Sequence, residues 1–546
     1  MAVAEAPGRE ARPGDSDELA TFGYRQELDR SLGSFSSFAA GFSYISILTG
    51  VIQLFAFGFA FAGPPVWWTW FIVLFGQMMV ALCFAEMAGQ YPLAGSVYNW
   101  SKRVAGDFSS WMTGWIYVIG SIVTVAAVAV AWQVVLPQVS VHLQFLGSHA
   151  DAGAYTTKGG AQNALLLGAI LVVFGTIVNL LGVKLLARIN NFGVFAELVG
   201  SSILVILLLF HIRRGPGITF HTLGLGKGHS WGYFGAFIIG GIMSAYVMYG
   251  FDTAGTLAEE TNDPRRNAPP AIIRALAAAA FIGGALILLA ILTVKDIHDP
   301  NIGILGLPYI LKQVLGSTLG KVFLVDSAIA ITVCTLAVMA GCIRLLFAMA
   351  RDGRLPFGSA IARVSGARRV PVVPALFVGL CALGLLAINI GNQSAFLALT
   401  SVAIVMFYLA YLGVTGGMLV RRLRGQWPRA NHGPYFSLGR FGLLVNLLAV
   451  IYGAIVAVNI AWPRSSVYDA LAGTKDSSGH IIPGHWYWQY IAVLFIGIVV
   501  VVGTIYYFAV YNRKPIEVLA EHRAGSAGPG DPLTLGKPPA LGEMAP

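Results

Sequence analysis

Twelve apolar stretches, each near twenty residues or longer, run through this chain of 546 residues and leave little room for any architecture but one. A helical run of about 20 apolar residues matches a hydrocarbon core of about 30 Å. The stretches lie at 35–62, 66–89, 109–137, 161–182, 189–211, 232–258, 271–294, 320–350, 371–391, 396–420, 440–462 and 486–511. In lipid each run must satisfy its own backbone N–H and C=O groups, which makes the runs helices. Of all residues 56% are hydrophobic and 11% charged, against about 25% charged in soluble domains, too few to cover a water-soluble body of this size. The fold expected is an all-α integral membrane protein with twelve transmembrane helices over 34–512. A disordered N-tail (1–33) and a disordered C-tail (513–546), rich in Gly, Pro and Ala, flank it. The first 33 residues hold no apolar core for a cleavable signal peptide, so the first span is expected to act as the insertion signal.

Charge sets the expected orientation. With twelve spans both termini lie on one side. That side takes 26 of the 35 Lys and Arg residues and the opposite side nine, with Arg213 and Arg214 as the main exception. The positive side is the cytoplasm, so both termini are expected inside and the protein in the plasma membrane. The net charge of +10 then reflects topology and not nucleic-acid binding. Cys83, Cys334, Cys342 and Cys381 all fall within spans and read as small hydrophobic residues, with no disulfide framework implied.

Two spans differ from the rest. The first contains GFSYISILTGV, with Gly41, Gly50 and several hydroxyls inside an apolar run, and the sixth contains AYVMYGFDTAGTLAEE, with Gly250, Asp252 and Gly255. Small and polar residues at membrane depth let the backbone leave the helix, which is tolerated where the break lines a cavity. Spans one and six of twelve are matching positions if spans one to five and six to ten form two inverted repeats with two helices added, and such paired interruptions point to a transport site.

Three further stretches carry a family resemblance over roughly 34–512. They are CFAEMAGQYPLAGSVYNWSKRVAG at 83–106, YGFDTAGTLAEETNDPRRNAPPAI at 249–272 and CIRLLFAMARDGRLPFGSAIARV at 342–364. The chain resembles the amino acid–polyamine–organocation (APC) superfamily of permeases. The segment GPYFSLGRFG at 433–442 is similar to its amino acid/choline/GABA permease branch. The resemblance implies a LeuT-like 5+5 fold working by alternating access, with substrate between the broken first and sixth helices. It implies that exposed N–H groups of the first take the solute carboxylate and that carbonyls of both take the ammonium. The physics is compatible, because a half-helix start carries unpaired N–H groups and partial positive charge.

By position, the family's Gly-Ser-Gly break falls on Leu48-Thr49-Gly50, just after Ser46. Leu48 stands where the family has glycine, which shrinks the site or changes where the helix opens. The family's aromatic gate falls on Tyr246, and Tyr249, Gly250 and Phe251 form the second break. The rival reading of Tyr246 and Phe251 is packing, the usual work of aromatics in spans. Trp67, Trp68 and Trp70 read as an interfacial belt.

Glu197 lies nine residues past Arg188 in the fifth span, roughly 14 Å deep at 1.5 Å per residue. A carboxylate there costs on the order of 3 kcal/mol on insertion scales. Relatives carry a lysine here that is thought to replace a coupling sodium; a protonatable Glu197 is a candidate proton carrier, or a structural residue kept neutral or paired. Asp252 is read either as a ligand for a cation or substrate amine, or as a cap on the half-helix that follows it. Asp326 contacts substrate or sits at an interface. Glu259 and Glu260 are expected to meet Arg265 and Arg266 as an inner gate, or to belong to a solvated loop, and Glu86 has the same two readings.

Other chemistry finds little support. GLGLGKGHS at 224–232 lacks P-loop spacing, there is no HExxH or zinc-spaced cluster, and Asn392-Gln393-Ser394 is a sequon by pattern alone. No metal or cofactor is expected. The reading is a secondary active permease for an amino acid or close analogue, coupled to H⁺, with a small molecule and the bilayer as its partners and no nucleic acid. An exchanger and a polyamine, choline or other organocation carrier are the first rivals; a membrane enzyme or receptor is a rival of another class.

Overall fold

The computed structural model describes residues 19–511 except 20, 21, 23, 25, 156, 228, 230, 366–368, 389–394, 429–432, 470–472, 474–480 and 482. The C-tail 513–546 and the sequon at 392–394 therefore lie outside the described residues. Within them the chain is helical, and ten helices are long and apolar enough to cross a membrane. Two shorter apolar helices, Gly232–Val247 and Val372–Ala387, coincide with the expected sixth and ninth stretches.

In chain order the helices that build the core are α1 (Ser34–Ile45), α2 (Ile47–Ala62), α3 (Val66–Gln90), α4 (Ser96–Val104) and α5 (Asp107–Val139). Then come α6 (Lys158–Leu181), α7 (Val183–Leu209), α8 (Gly232–Val247), α9 (Thr253–Thr256), α10 (Pro264–Thr293) and α11 (Ile302–Arg351). The last four are α12 (Val372–Ile388), α13 (Ala395–Leu423), α14 (Gly442–Ala461) and α15 (Ile491–Tyr506).

Both expected interruptions are present. α1 and α2 share one apolar stretch but part at Ser46, whose backbone (φ 35, ψ 97) is not helical. α8 ends at Val247 and α9 begins at Thr253, with Gly250 at φ 92 between them. A Cβ on Gly250 would lie 1.8 Å from the Tyr44 ring, so both the left-handed backbone and the close approach require glycine. The two broken helices pack on each other through small residues: a Cβ added to Gly50 would meet Val247 at 2.6 Å, and one added to Gly58 would meet Met243 at 2.6 Å. Lipid supplies no hydrophobic drive between helices, so close backbone approach of this kind is what joins them.

Around this centre, α1 packs on α7, α10 and α11, α2 packs on α11 and α8, and α5 packs on α13 and α11. α14 and α15 sit at the rim with few of their side chains buried, and Phe192, Phe195 and Phe210 on or beside α7 are exposed. Such a surface fits hydrocarbon and would not stay dispersed in water.

Three boundaries differ from the sequence reading. The loop expected at 183–188 is already helix, and the turn from α6 to α7 is the single residue Gly182 at φ 121. α10 starts at Pro264, seven residues early, because proline at the first helical position gives up no hydrogen bond. α11 begins at Ile302 and not near 320, running across non-helical Gly306 and Gly316, so it takes in the stretch ILGLPYILKQVLG at 304–316, whose amphipathic pattern predicts a short helix of its own.

The expected disordered N-tail is corrected for the described residues between 19 and 33. The described part lies against the bundle with Leu19, Phe22, Tyr24, Leu28 and Leu32 buried. Ser31 and Leu32 donate N–H groups to the Glu260 carbonyl, and Asn262 donates to Leu32. Five buried apolar or aromatic side chains in this short stretch outweigh its polar composition. This segment covers one end of the bundle, the N-tail end.

Candidate functional site

The first turn of any helix holds N–H groups without intrahelical partners. At the start of α2 these are met from another helix. Glu197 of α7 accepts from the Leu48 N–H at 3.0 Å and from the Ser46 hydroxyl at 3.0 Å through Oε1. The Ser46 and Thr49 hydroxyls lie 2.6 Å apart, and the Gly50 N–H already returns to the Ser46 carbonyl at 3.0 Å. On the other side of the break, the Tyr44 carbonyl accepts from the Cys334 thiol of α11 at 3.3 Å. Glu197 is fully buried, and its Oε2 has no partner among the described residues. The helix opens at Ser46, two residues before Leu48; Leu48, Thr49 and Gly50 form the regular first turn of α2.

The second break is held by Asp252. Its carboxylate accepts from the hydroxyls of Tyr411 at 2.5 Å, Tyr117 at 2.7 Å and Ser96 at 3.1 Å. The Tyr411 oxygen also accepts the Gly250 N–H at 2.8 Å. Asp252 makes no side-chain cap bond to α9, so the capping reading is corrected: three hydroxyl donors on α4, α5 and α13 outcompete the local backbone. No cation or free amine is needed to satisfy it.

Between the breaks stands an aromatic cluster. Tyr249 stacks on Phe407 with centroids 4.6 Å apart, and Tyr44 meets both edge-on at 6.1 and 5.9 Å. Tyr246 lies 5.9 Å from Tyr249 and donates its hydroxyl to Gln53 at 2.8 Å. Phe251, read as part of the second break and as a gate or a packing residue, packs on Phe84 and Tyr411 and is fully buried there. Asp326 is not at either break; its carboxylate lies against Gly200 of α7.

At the N-tail end the acids expected to pair with Arg265 and Arg266 choose other partners. Glu259 is bound by both terminal nitrogens of Arg351 at 2.8 and 3.0 Å and by the Ala94 N–H at 3.0 Å. Glu260 is bound by Arg344 at 3.1 and 3.3 Å. Arg265 stacks over Phe22 and Tyr435, and exposed Arg266 faces Asp263 at 3.8 Å. Sequence neighbours lost to residues of α11 because the short turns after Gly250 aim Glu259 and Glu260 inward. Arg344 and Arg351 lie seven apart, two helical turns on one face, and that spacing was a usable signal. Asp352 accepts from Lys102 at 2.6 Å, Tyr98 at 2.8 Å and Tyr24 at 2.9 Å. Burial works to raise this carboxyl, but Lys102 and Arg351 beside it hold it down to about 2.

Two other expectations also change. Glu86 is not in a solvated loop: fully buried, it accepts from Arg422, from Trp427 Nε1 at 3.0 Å and from the Leu438 N–H at 3.0 Å. Trp70 is no interfacial belt residue but a buried tie from α3 to α10, donating to the Ala280 carbonyl at 2.8 Å.

A small apolar crevice lies between Leu32 at the N-tail end and Thr253 at the start of α9, lined also by Ala40, Asn190 and Ala337 among others. Among the described residues no group of three or more His, Cys, Asp or Glu side chains is placed to hold a metal ion. Tyr117, Tyr411, Ser96, Gln53, Cys334 and Phe407 were missed by sequence reasoning; each is an ordinary residue in its own helix and acquires meaning only from what it faces.

Residues 32–474 match the profile described as amino acid permease. Over 496 residues the chain is 30% identical to amino-acid permease BAT1 of Arabidopsis thaliana, covering 85% of this chain and 91% of that protein. It is 26% identical to the branched-chain amino acid permease BcaP of Bacillus subtilis, over 82% of this chain and 91% of that one. It is 29% identical to the methylthioribose transporter of the same bacterium, over 66% and 77%. A profile match of this length, together with relatives named as permeases and transporters across nearly their whole lengths, places the chain in the amino acid permease family of the APC superfamily.

Proposed function

We propose that the chain is a secondary active permease that carries an amino acid across the plasma membrane by alternating access, in symport with H⁺. The observation that carries this reading is the pair of broken helices, α1/α2 and α8/α9, packed on each other at membrane depth with an aromatic cluster between them. The twelve stretches act as twelve spans, in two inverted repeats of five plus α14 and α15, with both termini cytoplasmic. The N-tail end is then the inner face, and the crevice along α1, α7 and α11 is the path toward it.

In this reading the solute lies between Ser46, Leu48, Thr49 and Gly50 on one side and Tyr246, Tyr249 and Gly250 on the other. The Tyr44–Tyr249–Phe407 cluster occludes it. Asp252 positions the second break through its tyrosines. Glu259 with Arg351, and Glu260 with Arg344, close the inner face. Glu197 carries the coupling proton, since it is the carboxylate that touches the first break directly.

The test is uptake into liposomes holding the purified protein. Labelled leucine, valine, glutamate, γ-aminobutyrate, choline, putrescine and methylthioribose are each offered with and without an acid-outside pH gradient. Uptake of an amino acid, faster with the gradient, is expected. Uptake of only the amines or the thiosugar overturns the substrate class, and no uptake of any solute overturns the permease reading.

A further inference from the structure

An anion placed at a helix start gains from the unpaired N–H groups and the partial positive charge there. In transporters built on broken helices, a half-helix start of this kind meets an anionic group of the substrate. In this chain the place is taken. Glu197 Oε1 holds the Leu48 N–H and the Ser46 hydroxyl, both at 3.0 Å. The remaining hydroxyl of the turn, on Thr49, is engaged with Ser46 at 2.6 Å.

Glu197 is poorly compensated where it stands. Its partners are neutral, and Oε2 has none among the described residues. The titratable groups that face it are on α11: Cys334, which feels its charge, and Asp326, a second acid. The break and the start of α2 present the Ser46 and Thr49 hydroxyls and the Leu48 N–H, none of them charged. On α10, Arg274 is exposed on the outside of the bundle, and Arg265 and Arg266 lie at the N-tail end, while Lys158 of α6 begins its helix at the other end. Among the described residues nothing basic binds the carboxylate, and the half-helix start is what holds it.

We propose that the Glu197 carboxylate and the carboxylate of the transported amino acid are alternative occupants of the turn Ser46–Thr49, and that a proton on Glu197 vacates that turn for the solute. This rests on the permease reading above. A hydrogen bond to an ionised acceptor is about twice as strong as one to a neutral acceptor. While Glu197 is ionised it outcompetes a solute; once protonated it is a neutral acid, and an ionised solute carboxylate becomes the better acceptor for the Leu48 N–H. Proton and solute therefore bind together. When the solute leaves, the turn is empty, Glu197 gives up its proton to the same side and returns. Coupling comes from competition for one helix start, and by linkage the effect of the proton on the solute equals that of the solute on the proton.

The test is equilibrium binding of leucine and of leucinamide, which replaces the carboxylate by a carboxamide, to purified protein between pH 5 and 9. If leucine is not bound, the amino acid taken up most strongly in the liposome screen and its own carboxamide replace the pair. For the wild type, amino acid affinity is expected to fall up to about tenfold per pH unit on the alkaline side of the Glu197 titration. Glu197→Gln and Glu197→Ala are expected to bind it with the acid-side affinity at every pH. The carboxamide loses its own ammonium proton at about pH 8, so its affinity is expected to fall there equally in wild type and Glu197→Gln, whereas the acid's profile should differ between the two. The proposal is overturned if Glu197→Gln, monodisperse and with unchanged melting temperature, loses binding at all pH values, if the wild-type profile for the acid is flat, or if Glu197→Gln changes the acid and amide profiles alike. Gradient-driven uptake with flat binding leaves proton coupling standing and removes the competition; uptake blind to the gradient removes the coupling reading itself.

Discussion

At the scale of single residues, the site depends on backbone that is not helical and on side chains that hold it so. Gly250 combines a positive φ with contact against the Tyr44 ring. Gly250→Ala carries the left-handed penalty of about 1–2 kcal/mol before any clash, and the Cβ would also displace Tyr44. Loss of uptake together with a lowered melting temperature in detergent is expected. Tyr411 joins the Gly250 N–H to Asp252. Tyr411→Phe leaves a buried N–H without its acceptor and deprives the carboxylate of a donor, a cost of about 1–3 kcal/mol. A thermal melt reads that cost, and a weakened solute affinity larger than for Tyr408→Phe ties it to the break. Gly250 and Asp252 were legible in the sequence as anomalies at membrane depth. What Asp252 does was not, because its donors come from α4, α5 and α13 and no local pattern names them.

At the scale of helices, long contacts replaced the near ones that sequence suggested. Arg344 and Arg351 bring α11 onto the turn after α9. Arg344→Ala strands buried Glu260, and breaking a buried pair costs about 3–5 kcal/mol. The double variant Arg344→Ala with Glu260→Ala should recover part of that loss in a melting experiment; equal loss in single and double variants would show that the pair does not hold the element. Asp352 gives this end a pH dependence. Its carboxyl lies lower in the folded chain than when free, so its contribution is complete above the ordinary carboxylate range. It is lost as pH falls from about 4 toward about 2. Protease sensitivity of residues 19–33 should be flat between pH 5 and 8 and rise only below about 4. Helix existence was readable from apolar runs, whereas the starts of α7 and α10 were not, since Gly182 and Pro264 act through backbone geometry that hydropathy does not register.

At the scale of the whole molecule, the N-terminal segment closes one end of the bundle. Tyr24 lies between Lys102, Asp352 and the Arg351 guanidinium, 4.2 Å above its ring, and Gln26 donates to the Glu259 carbonyl at 2.9 Å. Leu32 lines the crevice. Removing residues 1–30 should therefore raise the rate at which a thiol reagent reaches a cysteine placed at Asn190, on the crevice wall, by several-fold. An unchanged rate would show that the segment does not cover the path.

Membrane class, the helices and the fact that spans one and six break are legible along the chain. They follow from free energies that act locally: transfer of apolar side chains to hydrocarbon, the need of each backbone to bond itself there, and, at Gly250, the tolerance of glycine for a left-handed turn. The opening of the first break at Ser46 and the groups that stand at both breaks come from the packing of the helices. That Glu197 reaches the Leu48 N–H across 149 positions, that Tyr117 and Tyr411 share Asp252, and that Arg344 and Arg351 displace Arg265 and Arg266 are outcomes of packing between distant helices. In a low-dielectric interior each buried polar group takes the best partner within a few ångströms, and which groups come that close is set by how the helices assemble.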